Sequence, residues 1–193
     1  HGVLGRGPQP VSVNVFQRHL LILPEDQANA EFAKGFLLEV PMRRQRQIQV
    51  KSPAGGWRKL LDGVEAQIPE LQKIPNRHLV LLMDFDGYAA ERRAEFEERM
   101  AAVRGQVFLL GSAYNPEKLR AALGKTFETV GCEAGRACAL ALAPVVRAVS
   151  SPPLAVPGAA PTSTLWDHEH LQNNRAELER LAVVRPILFD DAQ

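Results

Sequence analysis

Three short and almost continuously apolar stretches stand out in the chain, and longer stretches of helical periodicity separate them. They are residues 19–24 (HLLILP), 78–84 (HLVLLMD) and 106–112 (QVFLLGS). A fourth stretch, RRQRQIQVKS, alternates polar residues with Ile48 and Val50. Continuous apolar runs are typical of parallel strands buried on both faces, and the alternating run predicts a strand with one wetter face.

The stretches between these strands predict helices, because their apolar residues recur at three- and four-residue spacing. Trp57, Leu60, Leu61, Val64 and Ile68 show this spacing most clearly. Helices are predicted over residues 25–40, 57–68, 89–103, 115–124 and 126–142. Strand and helix thus alternate from residue 19 to residue 124. This order predicts an α/β fold, with a parallel sheet flanked by helices and right-handed crossovers.

The remaining composition divides the chain into four segments. Residues 1–18 are predicted to be a flexible N-terminus, and residues 19–142 form the α/β domain. Residues 143–163 are predicted to be a loop, because PVVRAVSSPPLAVPGAAP contains five prolines. Residues 164–193 are predicted to be a C-terminal helical extension that packs on the same domain. Within it we expect one helix over 164–184 and a short edge strand at RPILF.

Carboxylates follow two of the predicted strands. Glu25 and Asp26 come after the first, and Asp84 and Asp86 come after the third. Ligands of open parallel sheets bind beyond the carboxyl ends of the strands, and residues i and i+2 of a strand point to one side. If the first and third strands are neighbours, Glu25, Asp84 and Asp86 converge. Oxygen-only ligands of this kind select Mg²⁺ or Mn²⁺.

A purely structural role for some of these residues remains an alternative. Asp26 could cap the following helix, because an aspartate there accepts hydrogen bonds from the first turn. Asp86 and Gly87 could simply form a turn. The metal hypothesis is favoured because acidic residues follow two strands rather than one.

The motifs LPED, with Glu25, and MDFD, with Asp84 and Asp86, resemble those of the Toprim domain, over roughly residues 19–124. More narrowly, the chain looks like small stand-alone bacterial Toprim-like proteins related to overcoming-lysogenization-defect-type nucleases. The resemblance implies Mg²⁺-dependent cleavage of nucleic-acid phosphodiesters, with Glu25 as general acid or base and the aspartates as metal ligands. It also implies a partner ATPase and a role in defence or repair. The family usually has glycine where this chain has Asp26.

Four cations are candidates for nucleic-acid contacts: Arg43, Arg44, Arg46 and Lys51, in and beside the second predicted strand. The alternative is a charged edge that discourages pairing with strands of other molecules. The formal net charge is only +1, so a surface that binds nucleic acid must be local.

LLMDFDGY also resembles the first motif of haloacid-dehalogenase-type phosphatases. Asp84 would then be the nucleophile, Asp86 the acid/base, and Ser112 the second motif. Lys118 or Lys125 would supply the third motif, and Asp190 and Asp191 the fourth. Two strand–helix units precede Asp84, which is unusual for that family. A non-catalytic binding subunit is the third hypothesis.

Composition adds few further constraints. The two cysteines, Cys132 and Cys138, predict no disulfide framework and favour a reducing cytoplasm. No apolar stretch reaches the length that a bilayer requires, and the N-terminus lacks the layout of a signal peptide. We therefore expect a cytoplasmic protein without a membrane partner, and a homo-oligomer stays open.

Overall fold

The fold is built on a parallel sheet of four strands, in the order β2-β1-β3-β4. The computed structural model describes residues 17–141 and 165–189. The strands are β1 (His19–Pro24), β2 (Ile48–Val50), β3 (Arg77–Asp84) and β4 (Val107–Ser112). The predicted α/β class is confirmed. Because β1 lies between β2 and β3, the two strands that end in carboxylates are neighbours.

Helices cover both faces of the sheet. They are α1 (Gln27–Leu38), α2 (Met42–Gln45), α3 (Trp57–Glu65), α4 (Ile68–Lys73), α5 (Ala89–Arg99), α6 (Pro116–Leu123), α7 (Phe127–Ala141), α8 (Arg175–Arg180) and α9 (Arg185–Leu188). One face of the sheet packs on α1, α7 and the C-terminal extension, and the other packs on α3 and α5. In residues 17–141 and 165–189, no helix combines the length and apolar character needed to cross a bilayer.

Alternation along each strand divides the core between the two faces. Leu20 and Ile22 of β1 pack on the α1 side, whereas Leu21 packs on the α3 side. On the α1 side, α1 and α7 approach so closely that a Cβ at Gly35 or Gly131 would overlap the backbone of the opposite helix. The glycines at this contact allow α1 and α7 to pack with their backbones in contact. The first turn of α1 is therefore fixed at the carboxyl edge of the sheet.

Two of the predicted strands were wrong in detail. The strand expected across RRQRQIQVKS is only Ile48–Val50, and a short helix, α2, precedes it. The side chain of Gln45 joins α2 to the end of α1, because its Nε2 donates to the carbonyls of Leu37 (3.1 Å), in the last turn of α1, and Val40 (3.0 Å), just after it. The segment RPILF is helix α9 rather than an edge strand. Pro186 lies in its first turn, where a proline favours a helix.

The C-terminal extension is helical, but it is not the single helix that was expected. Short 3-10 turns at Leu165–Asp167, Gln172–Asn174 and Leu181–Val184 alternate with α8 and α9. The predicted loop over 143–163 and residues 1–16 lie outside the described part of the chain.

The same extension covers the outer edge of β4. Three alternate residues in and just after β4 donate their outward-facing N–H groups to the extension. Leu109 donates to Glu177 Oε2 (3.1 Å), Gly111 to Asn174 Oδ1 (2.9 Å) and Ala113 to the carbonyl of His170 (2.8 Å). Asn174 Nδ2 also donates to the Gly111 carbonyl at 2.8 Å. The extension thus replaces a fifth strand, and it leaves no open β4 edge at these positions for another chain to pair with.

Candidate active site

The ends of β1 and β3 bring two carboxylates into one hydrogen-bonded arrangement. Glu25 directly follows β1, and its N–H donates to the Leu82 carbonyl of β3 at 2.8 Å. In return, the N–H of Asp84, the last residue of β3, donates to Glu25 Oε2 at 3.0 Å. The parallel register therefore determines this contact, because it sets the end of β1 beside Leu82. Glu25 and Asp84 lie together, as the hypothesis of a shared site requires.

Asp84 is the most perturbed carboxyl group of this edge. It is only 7% exposed. Burial, followed by the negative charges of Asp26, Glu25 and Asp86, raises the pKa of Asp84 to about 8. Asn29 opposes this shift through a hydrogen bond from Nδ2 to Asp84 Oδ2 at 3.3 Å. A carboxyl group in this environment is proton-bearing at neutral pH, and a bound cation would favour its ionised form.

Glu25 is half-buried, and burial also raises the pKa of its carboxyl group. The N–H groups of Asp84 and Trp57 and the charge of Arg92 act in the opposite direction. The loop between β2 and α3 folds over Glu25, because Gly55 N–H donates to the Glu25 carbonyl at 2.8 Å. Gly55 has a φ of 79°, a conformation that glycine adopts without strain.

Asp26 has the structural role that was considered for it. It is the N-cap of α1, and its Oδ1 accepts from the backbone N–H of Asn29 at 2.9 Å. Asn29 Nδ2 also donates to Asp26 Oδ1 at 3.0 Å, so one amide bridges Asp26 and Asp84. Sequence reasoning missed Asn29. Its position three residues after Asp26, the candidate cap residue, was the available signal.

The strand alternation that was expected to bring Asp86 to the same side as Asp84 stops before Asp86. The strand ends at Asp84, and Asp86 has a φ of 49° in an exposed turn with Gly87. Strand alternation does not extend into this turn. Asp86 instead pairs with Arg92, whose Nη2 lies 2.8 Å from Oδ2. It stays near enough for its charge to raise the pKa of Asp84.

Arg92, which was not predicted, connects several parts of the site. It donates to the carbonyl of Asp84 as well as to the carboxylate of Asp86. Its guanidinium carbon lies 5.2 Å from the centroid of the Trp57 ring. This stacking orients Arg92, because a guanidinium favours the face of an aromatic ring. Arg92 thus supplies a fixed positive charge between the acidic strand ends and α3.

The oxygen donors of Glu25 and Asp84 suit a hard cation, although these two carboxylates do not fill its coordination sphere by themselves. In the ranges 17–141 and 165–189, no three His, Cys, Asp or Glu side chains are arranged to hold a metal ion. Mg²⁺ does not require three, since it is commonly bound by one or two carboxylates together with water and substrate phosphate. Glu25 and Asp84, with the Asn29 amide beside them, fit that pattern.

The four predicted nucleic-acid contacts are divided between opposite ends of the sheet. Arg43, Arg44 and Arg46 precede β2, whose first residue pairs with Leu20 near the start of β1. Lys51 follows β2 and lies toward the carboxylates. β1 has six residues and spans about 20 Å, so the arginines do not join the carboxylate site. Their role in nucleic-acid binding stays a prediction.

The residues of the phosphatase hypothesis are only partly brought together. Ser112 of β4 is paired with Asp84 in the parallel register, and its buried Oγ has no hydrogen-bond partner within the described residues. Lys125 pairs with Glu133, with 2.6 Å between Nζ and Oε1. Asp190 and Asp191 lie outside the described residues.

Comparison with known proteins assigns no family to this chain. No family model, curated protein or solved structure among those compared matches it.

Proposed function

We propose that the protein is a Mg²⁺- or Mn²⁺-dependent nuclease that hydrolyses nucleic-acid phosphodiesters at the carboxyl ends of β1 and β3. The observation that carries the proposal is the contact between Glu25 and the N–H of Asp84, beside a carboxyl group whose pKa is raised to about 8. Strongly shifted carboxyl groups at strand ends are typical of functional sites. The resemblance of LPED and MDFD to Toprim motifs supports the same reaction.

Each residue has a distinct task in this proposal. Asp84 and Glu25 would hold the cation, and Asn29 orients Asp84 through its hydrogen bond. When bound, the cation would supply charge neutralisation for the phosphate and activation of a water. Glu25 would also serve as general acid or base, since a raised pKa suits a group that exchanges protons near neutral pH. Arg92 keeps Asp86 in place and adds positive charge.

The contact of Glu25 favours a nuclease over a haloacid-dehalogenase-type phosphatase. In the phosphatase hypothesis Glu25 has no role, yet its carboxylate accepts a hydrogen bond from the backbone of the candidate nucleophile Asp84. A partner ATPase, and a cytoplasmic role in defence or repair, are part of the nuclease proposal and rest on the resemblance alone.

A cleavage assay with Mn²⁺ or Mg²⁺ and labelled single-stranded and duplex oligonucleotides tests the proposal. We expect cleavage by the wild type and a loss of about 100-fold or more in Asp84→Asn and Glu25→Gln, because both lose a ligand charge. Glu117→Gln is the matched control, since Glu117 is an exposed residue of α6 outside the site.

Cleavage by Asp84→Asn at the wild-type rate would refute the site assignment. Hydrolysis of a small phosphate monoester by wild type and Glu25→Gln alike would instead support the phosphatase. Absence of any hydrolysis with either metal would leave the binding-subunit hypothesis.

A further inference from the structure

Both tyrosines of the chain lie beside the candidate active site, and both are exposed. Tyr88 follows the β3 turn and Tyr114 follows β4, with 60% and 43% of their surface exposed. The two loops are joined, because Gly87 N–H donates to the Ala113 carbonyl at 2.8 Å. A Cβ on Gly87 would lie 3.9 Å from Tyr114 Cε1. Tyr88 and Tyr114 therefore lie on adjoining loops, and we call them the tyrosine surface.

The ring of Tyr114 is held in place by its neighbours. It packs edge-on against His170, with 5.2 Å between ring centroids and an interplanar angle of 68°. His170 is buried in the C-terminal extension. Lys118 Nζ lies 4.9 Å from the Tyr114 centroid and adds a positive charge. Exposed aromatic rings beside cations are the means by which many proteins bind single-stranded nucleic acid.

The strand order places the tyrosine surface at one end of a line of polar and aromatic residues along the carboxyl edge of the sheet. Along the carboxyl edge of the sheet, Lys51 follows β2, the carboxylates follow β1 and β3, and Tyr114 follows β4. Three strand spacings separate β2 from β4, about 14 Å. Arg58 and Lys59, in the first turn of α3, are exposed, and a Cβ on Gly55, whose N–H donates to the Glu25 carbonyl, would lie 3.8 Å from Lys59 Nζ. No salt bridge to a described carboxylate involves Lys51, Arg58 or Lys59.

We propose that the substrate of this nuclease is a single strand whose bases stack on Tyr88 and Tyr114. Its backbone would cross the carboxylates toward Lys51, Arg58 and Lys59. This inference rests on the proposed function, because it gives the substrate class for the same site. A single strand fits the tyrosine surface, since the faces of its bases are free to stack, whereas a duplex stacks its bases on each other.

Fluorescence anisotropy with a short labelled oligonucleotide, in EDTA so that no cleavage occurs, tests this inference on the full chain. We expect the single strand to bind more tightly than its duplex. Tyr88→Ala and Tyr114→Ala should each weaken single-strand binding by about 5- to 50-fold, while Tyr88→Phe and Tyr114→Phe retain it, because stacking needs the ring alone. Met42→Ala is the control, since Met42 is 83% exposed on α2, away from the carboxylates.

Wild-type affinity in Tyr88→Ala would overturn the inference, as would equal affinity for single strand and duplex. Tyr88 is the decisive position, because the structure records no ring contact for it among the described residues and its loss should leave folding intact.

The outcomes separate this inference from the proposed function. Tyrosine-dependent binding without cleavage in Mn²⁺ would refute the nuclease alone, and cleavage that is unaffected by Tyr88→Ala would refute the tyrosine surface alone.

Discussion

Asp84→Asn is expected to be more stable than the wild type at pH 8, and the difference should shrink toward pH 5. The pKa of Asp84 is raised to about 8 in the folded protein, against a value of 3.8 for an ordinary aspartate. Burial is the main cause, and the charges of Asp26, Glu25 and Asp86 add to it. Asparagine keeps the shape of the side chain and can accept from Asn29, but it carries no charge into this environment.

The sign of this change in stability with pH follows from proton binding to Asp84. Between pH 4 and pH 8 the folded protein retains a proton on Asp84 that the unfolded chain releases, so each rise in pH favours unfolding. Stability that depends on Asp84 is therefore fully present below about pH 4 and is lost as the pH rises toward 8. Since one pKa unit corresponds to about 1.4 kcal/mol, the advantage of Asp84→Asn should grow by about 2–4 kcal/mol between pH 5 and pH 8.

Urea unfolding in EDTA at pH 5 and pH 8 measures this difference. Asp86→Asn is the matched control, because Asp86 lies in the adjoining turn but is exposed and paired with Arg92. We expect the control to change the free energy of unfolding by less than about 1 kcal/mol at either pH. An advantage of Asp84→Asn that is the same at both pH values would mean that Asp84 is not held protonated.

Glu177→Ala is expected to lose about 3–5 kcal/mol of stability, because it would leave a buried backbone N–H without its acceptor and would break the ion pairs of a buried carboxylate. Glu177 is only 3% exposed. Its carboxylate accepts from the Leu109 N–H of β4, from Arg104 and from Arg180 Nη1 at 2.8 Å. Alanine would leave the Leu109 N–H at the edge of β4 without its acceptor, and Arg104 would keep only one of its two carboxylate partners, Glu97.

Urea unfolding of Glu177→Ala and Glu179→Ala gives a direct comparison on the same helix, α8. Glu179 is exposed, and its substitution should change stability by less than about 0.5 kcal/mol. Glu177→Gln should fall between the two, because its side-chain carbonyl can still accept from Leu109. Equal stability of the Glu177→Ala and Glu179→Ala proteins would show that the extension does not stabilise β4.

The parts of the fold that depend on local pattern could be predicted from the sequence. Continuous apolar runs identified β1, β3 and β4, and helical spacing identified α1 and α5. The position of Glu25 beside Asp84 could be stated only as a condition, because adjacency of β1 and β3 is a property of the whole sheet. The parallel register satisfies that condition.

Other features depend on tertiary contacts that no local pattern carries. The positive φ of Asp86 accompanies a turn in which its carboxylate pairs with Arg92 of α5. The C-terminal extension is broken where Asn174 and Glu177 bond to the edge of β4. The sequence around α8 consists of strong helix formers and therefore does not indicate these breaks. Tertiary hydrogen bonding overrides helix propensity at these positions.

Calorimetric titration of Mn²⁺ and Mg²⁺ into the wild type, Glu25→Gln and the control Glu117→Gln tests the central claim most directly. If Glu25 and Asp84 form one cation site, the wild type and the control will bind one ion per chain, and Glu25→Gln will lose that binding. Unchanged binding in Glu25→Gln would contradict a shared site and favour the phosphatase, in which Glu25 has no part. Absence of binding in the wild type would contradict a metal site built from these carboxylates alone.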